Sequence, residues 1–283
     1  MVSKMKIIFA KYIGFCSGVK RAIAIAEKSL REDPEPIQFL GPLVHNEKVV
    51  EELKKKGGKI ITNLKEIKSG TLILRAHGEI LDLKKIRKKA SIIIRDATCP
   101  LVKRAQKAAQ NLSRAGYKVI IIGDRGHPEV KGIRGHIKDK GIIVEDKLEA
   151  KKLKKFKRLG VVAQTTQDSN KVKMILGVLK QKSKELKWLN TLCPEVSNRQ
   201  KELRVTLRKV EGILVIGSKS SANTLRLIKI AQHSKKPVWL VNSLGEFKKI
   251  NFKDLSTLMV TSGTSAPDWE IKKIKEWLEE KVK

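Results

Sequence analysis

The sequence predicts an α/β protein of three similar lobes with mainly parallel sheets in a pseudo-threefold arrangement. Three observations carry this expectation. Apolar, strand-like runs alternate with segments of helical periodicity, the pattern of right-handed β-α-β crossovers. Each of the three cysteines, Cys16, Cys99 and Cys193, stands between such a strand and such a helix. The sequence around the cysteines repeats with a period near 90 residues, longer than solenoid repeats.

Taken in order, KIIFA (6–10) reads as the first strand, and Cys16 opens SGVKRAIAIAEKSL, whose apolar positions 19, 22, 23, 26 and 30 form a helical stripe. IQFLG (37–41) ends at PLVHN with His45, and TLILR (71–75) ends at AHG with His77. SIIIRDAT leads to Cys99, and the helix it opens has Pro100 in its first turn, where a missing N–H costs nothing. YKVIIIG (117–123) precedes DRGHPE with His127 and Glu129, and LGVVA (159–163) precedes QTT with Thr165. KWLNTL leads to Cys193, again followed by proline and a helical segment. GILVIG (212–217) runs into SKSSAN with Ser221 and Asn223, TLMVT (257–261) into SGTSAP with Ser265, and the chain ends in the helical DWEIKKIKEWLEEKV.

The copies share registers. Val19, Val102 and Val196 each lie three residues after a cysteine, and Lys20-Arg21-Ala22 recurs as Lys103-Arg104-Ala105, with Ser197-Asn198-Arg199 in the third copy. His45, His127 and Ser221 follow their cysteines by 29, 28 and 28 residues. The third copy runs out before a strand that could lead to a fourth cysteine, while KIIFA has no lobe before it. The expected lobes are therefore 16–99, 100–193 and 194–283, the last completed by the N-terminal strand in 1–15, which brings the cysteines to one centre. In parallel sheets ligands bind beyond the C-terminal strand ends, where every one of these loops falls.

Composition bounds the class. Of 283 residues 41% are hydrophobic, enough for a substantial core, although 62 basic residues against 29 acidic give a net charge of +33. The longest apolar runs are far shorter than the ~18–20 residues a membrane span needs. The N-terminus lacks the apolar region and cleavage site of a signal peptide, with Met5 an alternative start, so a cytoplasmic location is expected. Three widely spaced cysteines exclude a disulfide framework, and no close-spaced knuckle supplies a fourth zinc ligand.

Three converging thiolates without a fourth protein ligand suit a [4Fe–4S] cluster with one open iron. The surrounding loops offer His45, His77, His127, Thr165, Ser221, Asn223 and Ser265 as donors, and helix N-termini add partial positive charge, so a phosphate or diphosphate is the expected guest. Glu129, two residues after His127, is a candidate proton relay.

The motifs GFCSGVKRAI, GPLVHN, RAHG, DATCPLV, GHPEVKG, QTT, NTLC with NRQ, GSKSSANTLRL and TSGTSAPD resemble, in order and over nearly the whole chain, those of the 4-hydroxy-3-methylbut-2-enyl diphosphate reductase (IspH/LytB) family. The resemblance implies reductive removal of an allylic hydroxyl, giving isopentenyl and dimethylallyl diphosphates in the last step of the methylerythritol phosphate route. It implies Cys16, Cys99 and Cys193 as cluster ligands, with the unique iron meeting the substrate. His45, His77, His127, Ser221, Asn223 and Ser265 would grip the diphosphate, Thr165 would orient the hydroxyl, and Glu129 would deliver the proton. A ferredoxin or flavodoxin is the implied electron donor. Two positions depart from the family pattern: Ala222 replaces a second serine, and Val196 stands where a threonine is common.

Other readings are weaker. A nucleic-acid-binding protein fits the charge, but aromatic platforms are scarce at 4% and no recognition motif is present, so nucleic acid is expected to bind non-specifically at most. A cysteine–histidine hydrolase would need only one of the three equivalent cysteines. His136 and His233 lie outside the registers, Ser220 stands beside the matched loop without itself being matched, the Lys-rich 147–158 reads as a solvated helical face, and the four tryptophans read as packing residues. The charge divides as +10 over 1–99, +15 over 100–193 and +8 over 194–283, so no single segment owns it.

Overall fold

The computed structural model describes residues 5–78, 92–252 and 255–282. Among the described residues, twelve strands form three four-stranded sheets in which every pair is parallel. The expected α/β class with three similar parallel sheets is what the chain adopts.

The first sheet contains β2 (Ile37–Leu40), β3 (Lys59–Ile61), β4 (Gly70–Leu74) and β5 (Ile92–Asp96), in the order β3-β2-β4-β5. The second contains β6 (Lys118–Ile122), β7 (Ile142–Val144), β8 (Phe156–Ala163) and β9 (Ser183–Trp188), in the order β7-β6-β8-β9. The third takes β10 (Gly212–Ile216), β11 (Val238–Val241) and β12 (Thr257–Ser262), and its fourth place is filled by β1 (Lys6–Phe9) alongside β12. Read from its β11 edge, the third sheet has the order of the other two, with the N-terminal strand standing where β5 and β9 stand.

Contacts group the described residues into two compact units. One takes the chain up to Lys20, Val44–Glu52 and everything from Pro194, and holds the third sheet; the other takes Arg21–Leu43 and Leu53–Cys193, and holds the first two.

The central strands are mostly apolar because helices cover both faces, as parallel sheets require. In the third sheet Leu214, Ile216, Leu258 and Val260 face Ile271, Ile274 and Leu278 of the C-terminal helix Asp268–Val282. The alternate residues Ile213, Val215 and Met259 pack on Leu203, Leu227 and Ile230. In the second sheet Val119, Ile121 and Val162 pack on Ala105, Ala109, Leu112 and Ile133, while Ile120, Ile122 and Val161 pack on Val172, Ile175 and Leu179. The period-two alternation sends successive side chains to opposite layers.

Two local readings change. The Lys-rich stretch is helical only over Lys147–Lys152; Phe156 already begins β8, where its backbone N–H is held by the Lys182 carbonyl at 2.8 Å. Trp188, Trp239 and Trp277 are partly buried against core clusters, whereas Trp269 is exposed, its ring edge-to-face with that of Phe15 at 5.6 Å between centroids.

Candidate active site

Each cysteine sits at the junction the sequence predicts. Helices begin at Ser17, Pro100 and Pro194, one residue after Cys16, Cys99 and Cys193. The carbonyls of Cys16 and Cys99 accept the first helical bonds, from Lys20 N and Lys103 N at 2.9 and 3.1 Å.

In the first unit the Cys16 loop is held from several sides. Gly14 has φ +82°, a conformation that glycine adopts without steric cost. Its N–H donates to Ser262 Oγ at 2.8 Å, and its carbonyl accepts from buried Arg199 at 2.7 Å. Phe15 N–H donates to Asp268 Oδ1 at 2.9 Å, and Cys16 N–H donates to the Thr264 carbonyl at 3.1 Å. Ser17 donates to Glu195 through both its N–H and its hydroxyl. This loop is thus tied to the loop after β12, which carries Ser265.

The same unit gathers His45, Ser221, Asn223 and Ser265. Ser265 Oγ donates to the His45 carbonyl at 3.0 Å, and Ser221 caps the helix Ala222–Gln232. Asn223, 1% exposed, has neither amide atom hydrogen-bonded to a described residue, and each such orphan costs ~1–3 kcal/mol. An amide kept buried at that cost, at a helix N-terminus, matches a site waiting for an anion. Glu47 borders this loop and accepts from Ser218, Ser220 and Asn242. Burial pushes its carboxyl up, but these hydrogen bonds outweigh it and hold the pKa below the usual glutamate value. Ala222 puts a methyl group at the first helical position, and Val196 is buried in the helix Pro194–Thr206.

The second unit gathers Cys99, Cys193, His77, His127, Glu129 and Thr165. Cys99 N–H donates to the carbonyl of Ala76, the neighbour of His77, at 2.9 Å. The His77 and His127 rings meet edge to face with centroids 5.7 Å apart. His127 caps the helix Pro128–Gly135 by accepting the Glu129 N–H at Nδ1, 3.2 Å away, which leaves Nε2 as the donor tautomer. Glu129 is 1% exposed; its Oε1 accepts Thr165 N–H at 2.6 Å and its Oε2 accepts Thr165 O–H at 2.9 Å. Thr165 in turn accepts Cys193 N–H at its carbonyl, at 2.9 Å. An acid, a hydroxyl and a thiol-bearing backbone are therefore joined in one chain of hydrogen bonds.

Several contributors were not visible in the sequence. Gln164 Oε1 accepts Asp124 N–H at 2.9 Å, and Thr191 Oγ1 bridges both backbone groups of Ala163, so the loops carrying Glu129, Thr165 and Cys193 are cross-tied. Arg199 lies in the quoted NRQ motif, but nothing in that motif says that its guanidinium holds Gly14 and Ser262. His136 and His233 only return ring-nitrogen bonds to carbonyls in their own helices, and Ser220 contacts Glu47 and Ser218.

The donor set fits an iron–sulfur group. No disulfide joins the three cysteines, each stands at a strand-to-helix junction, and Cys99 spends no sulfur on capping its own helix. No helix among the described residues is long and apolar enough to cross a membrane.

Comparison with known proteins places the chain in a family. The family model described as LytB protein matches residues 7–279. A 4-hydroxy-3-methylbut-2-enyl diphosphate reductase of Geobacter metallireducens is 38% identical over 279 residues, covering 98% of each chain. One of Dictyoglomus thermophilum is 40% identical over 275 residues, 97% of this chain and 96% of that one. Among solved structures, the E-1-hydroxy-2-methyl-but-2-enyl-4-diphosphate reductase from Plasmodium falciparum matches with a TM-score of 0.91 at 31% identity, over 98% of this chain and 88% of that chain. A second, described as (E)-4-hydroxy-3-methyl-but-2-enyl diphosphate reductase, the terminal enzyme of the non-mevalonate pathway, matches with a TM-score of 0.71 at 35% identity, over 98% and 99%. With three parallel sheets, a cysteine before a helix in each repeat, and these full-length likenesses, the chain belongs to the LytB protein family.

Proposed function

We propose that the chain reduces (E)-4-hydroxy-3-methylbut-2-enyl diphosphate to isopentenyl diphosphate and dimethylallyl diphosphate, in the cytoplasm, with a ferredoxin or flavodoxin as donor. The names of its relatives support the substrate class. The observation that carries the chemistry is the buried Glu129 carboxyl, bonded to both polar groups of Thr165, whose carbonyl holds the Cys193 backbone.

The reaction replaces C–OH by C–H, consuming two electrons and two protons and releasing water. Cys16, Cys99 and Cys193 would together hold one [4Fe–4S] cluster. When bound, such a cluster supplies electrons and, at the iron without a cysteine, Lewis acidity.

The remaining work falls to the chain. His45, His77, His127, Ser221, Asn223 and Ser265 bind the diphosphate, with the Asn223 amide donating to a phosphate oxygen. Thr165 orients the allylic hydroxyl: because its own proton points to Glu129 Oε2, its lone pairs are left to accept from the substrate. For proton delivery the Glu129 carboxyl takes up a proton and donates it to Thr165 Oγ1, whose own hydroxyl proton turns from Glu129 Oε2 to the departing oxygen, and the burial of Glu129 keeps this relay from bulk water. The test is anaerobic incubation of reconstituted protein with the substrate and reduced methyl viologen. Formation of both five-carbon diphosphates is expected; reductant-independent hydrolysis, or no product from iron-replete protein, would overturn the proposal.

A further inference from the structure

A groove of about 370 Å³ lies in the second unit, away from Glu129 and Thr165, lined by Arg104, Lys107, Asn111, Trp188 and Asn190. Among the described residues no acidic one lines it. Its cationic wall is the outer face of the helix Pro100–Arg114, on which Lys103, Arg104, Lys107 and Arg114 are all exposed. Among these, only Lys103 pairs with a described carboxylate, Asp96. The opposite wall is the end of β9, an edge strand of its sheet, with Trp188 half-buried above it.

Both walls lead to cysteines. The helix starts at Cys99, five residues before Arg104. The segment after Trp188 reaches Cys193 in five residues, and it is stiffened throughout: Leu189 N–H donates to the Val161 carbonyl at 3.0 Å, and Leu192 N–H donates to Asn190 Oδ1 at 3.1 Å. Thr191 Oγ1 clamps Ala163, and Arg104 reaches the Asn190 carbonyl at 3.4 Å, joining the walls. A partner seated here would approach the backbone of two cysteines without entering the loops that carry the histidines, Glu129 and Thr165.

We infer that this basic, tryptophan-edged groove is the docking surface for an acidic electron-carrier protein. The inference rests on the reductase reading proposed above, which needs two electrons per turnover; a reduced one-electron carrier would dock twice, leaving oxidised each time. The charge favours it, because exposed cations facing a carboxylate-rich surface raise the association rate in a salt-sensitive way. The half-buried indole of Trp188 beside the cations supplies the apolar contact on which a transient interface turns.

The test uses Arg104→Glu/Lys107→Glu holoprotein, with an acidic ferredoxin as the carrier probe and dithionite-reduced methyl viologen as a small reductant. The expected result is an apparent KM for ferredoxin raised ~10-fold or more at low salt, a difference that shrinks as salt screens it, with viologen-driven turnover unchanged. An unchanged ferredoxin KM overturns the docking site, and so does an equal loss of both activities, which marks a structural role. Loss of single-stranded RNA binding with ferredoxin kinetics intact overturns it in favour of a nucleic-acid surface. Wild-type protein that carries iron but fails with viologen refutes the reductase reading itself, and the docking site with it.

Discussion

Glu129→Gln separates folding from chemistry at the centre of the site. The carboxyl accepts twice from Thr165, at 2.6 Å from the N–H and 2.9 Å from the hydroxyl. A glutamine keeps the first bond through its carbonyl, but its amide then faces the Thr165 oxygen, so that hydroxyl must turn and become the acceptor. Exchanging charge-assisted bonds for neutral ones should cost about 1–3 kcal/mol of stability, since the two classes differ by ~1–1.5 kcal/mol per bond. The larger effect is on turnover. Without a titratable proton, and with the Thr165 lone pairs redirected from the substrate, the rate should fall ~10²–10⁴-fold, about 3–5 kcal/mol of barrier. Substrate affinity, set by the diphosphate donors, should stay within about 3-fold of wild type because Glu129 contributes to the transition state and not to ground-state binding. Anaerobic viologen oxidation measures the first quantity and calorimetric substrate titration the second. Turnover near wild type would remove Glu129 from its acid role, and a collapse of affinity with little change in turnover would make it a binding residue.

Three further outcomes are expected. Gly14→Ala should destabilise by about 2–3 kcal/mol, because φ is +82° and the new Cβ would lie 2.1 Å from Asp268 Oδ1, the acceptor of Phe15 N–H; a denaturation midpoint equal to wild type contradicts this. Asn223→Leu should leave apo stability equal or higher, since it removes two orphaned amide atoms, while raising substrate KM at least ~10-fold; an unchanged KM excludes Asn223 from the anion site. Asp33 accepts from the Arg95 guanidinium on both oxygens, which holds its pKa down to about 2 against 3.8. Being depressed in the folded state, it contributes stability above its unfolded pKa that is lost as pH falls from about 4 to about 2, so Asp33→Asn should flatten this part of the acid limb; an unaltered limb refutes the pairing.

Strands that the sequence shows plainly are those buried on both faces. Runs such as VIII at 119–122 and ILVI at 213–216 leave no ambiguity, and the helix starts after each cysteine are marked by Pro100, Pro194 and the stripe from Val19. The pairing of β1 with β12 followed from counting, since the third copy lacked a strand that the first had to spare. The short edges β3, β7 and β11, of three or four residues, are too brief to show a period, and SKELKW of β9 is mostly polar because an edge strand faces water. At the site, residue types and loop positions were legible but partnerships were not. Glu129 and Thr165 are 36 residues apart and meet only because β6 and β8 pair, and Arg199 reaches Gly14 across 185 residues.

The central claim is that one cysteine from each repeat serves a single cluster. Iron and acid-labile sulfide should be measured on anaerobically reconstituted wild type and on Cys16→Ser, Cys99→Ser and Cys193→Ser. About four of each per wild-type chain, with loss or marked depletion in all three variants, is the predicted result. Full iron and full activity in any one of the three would contradict it.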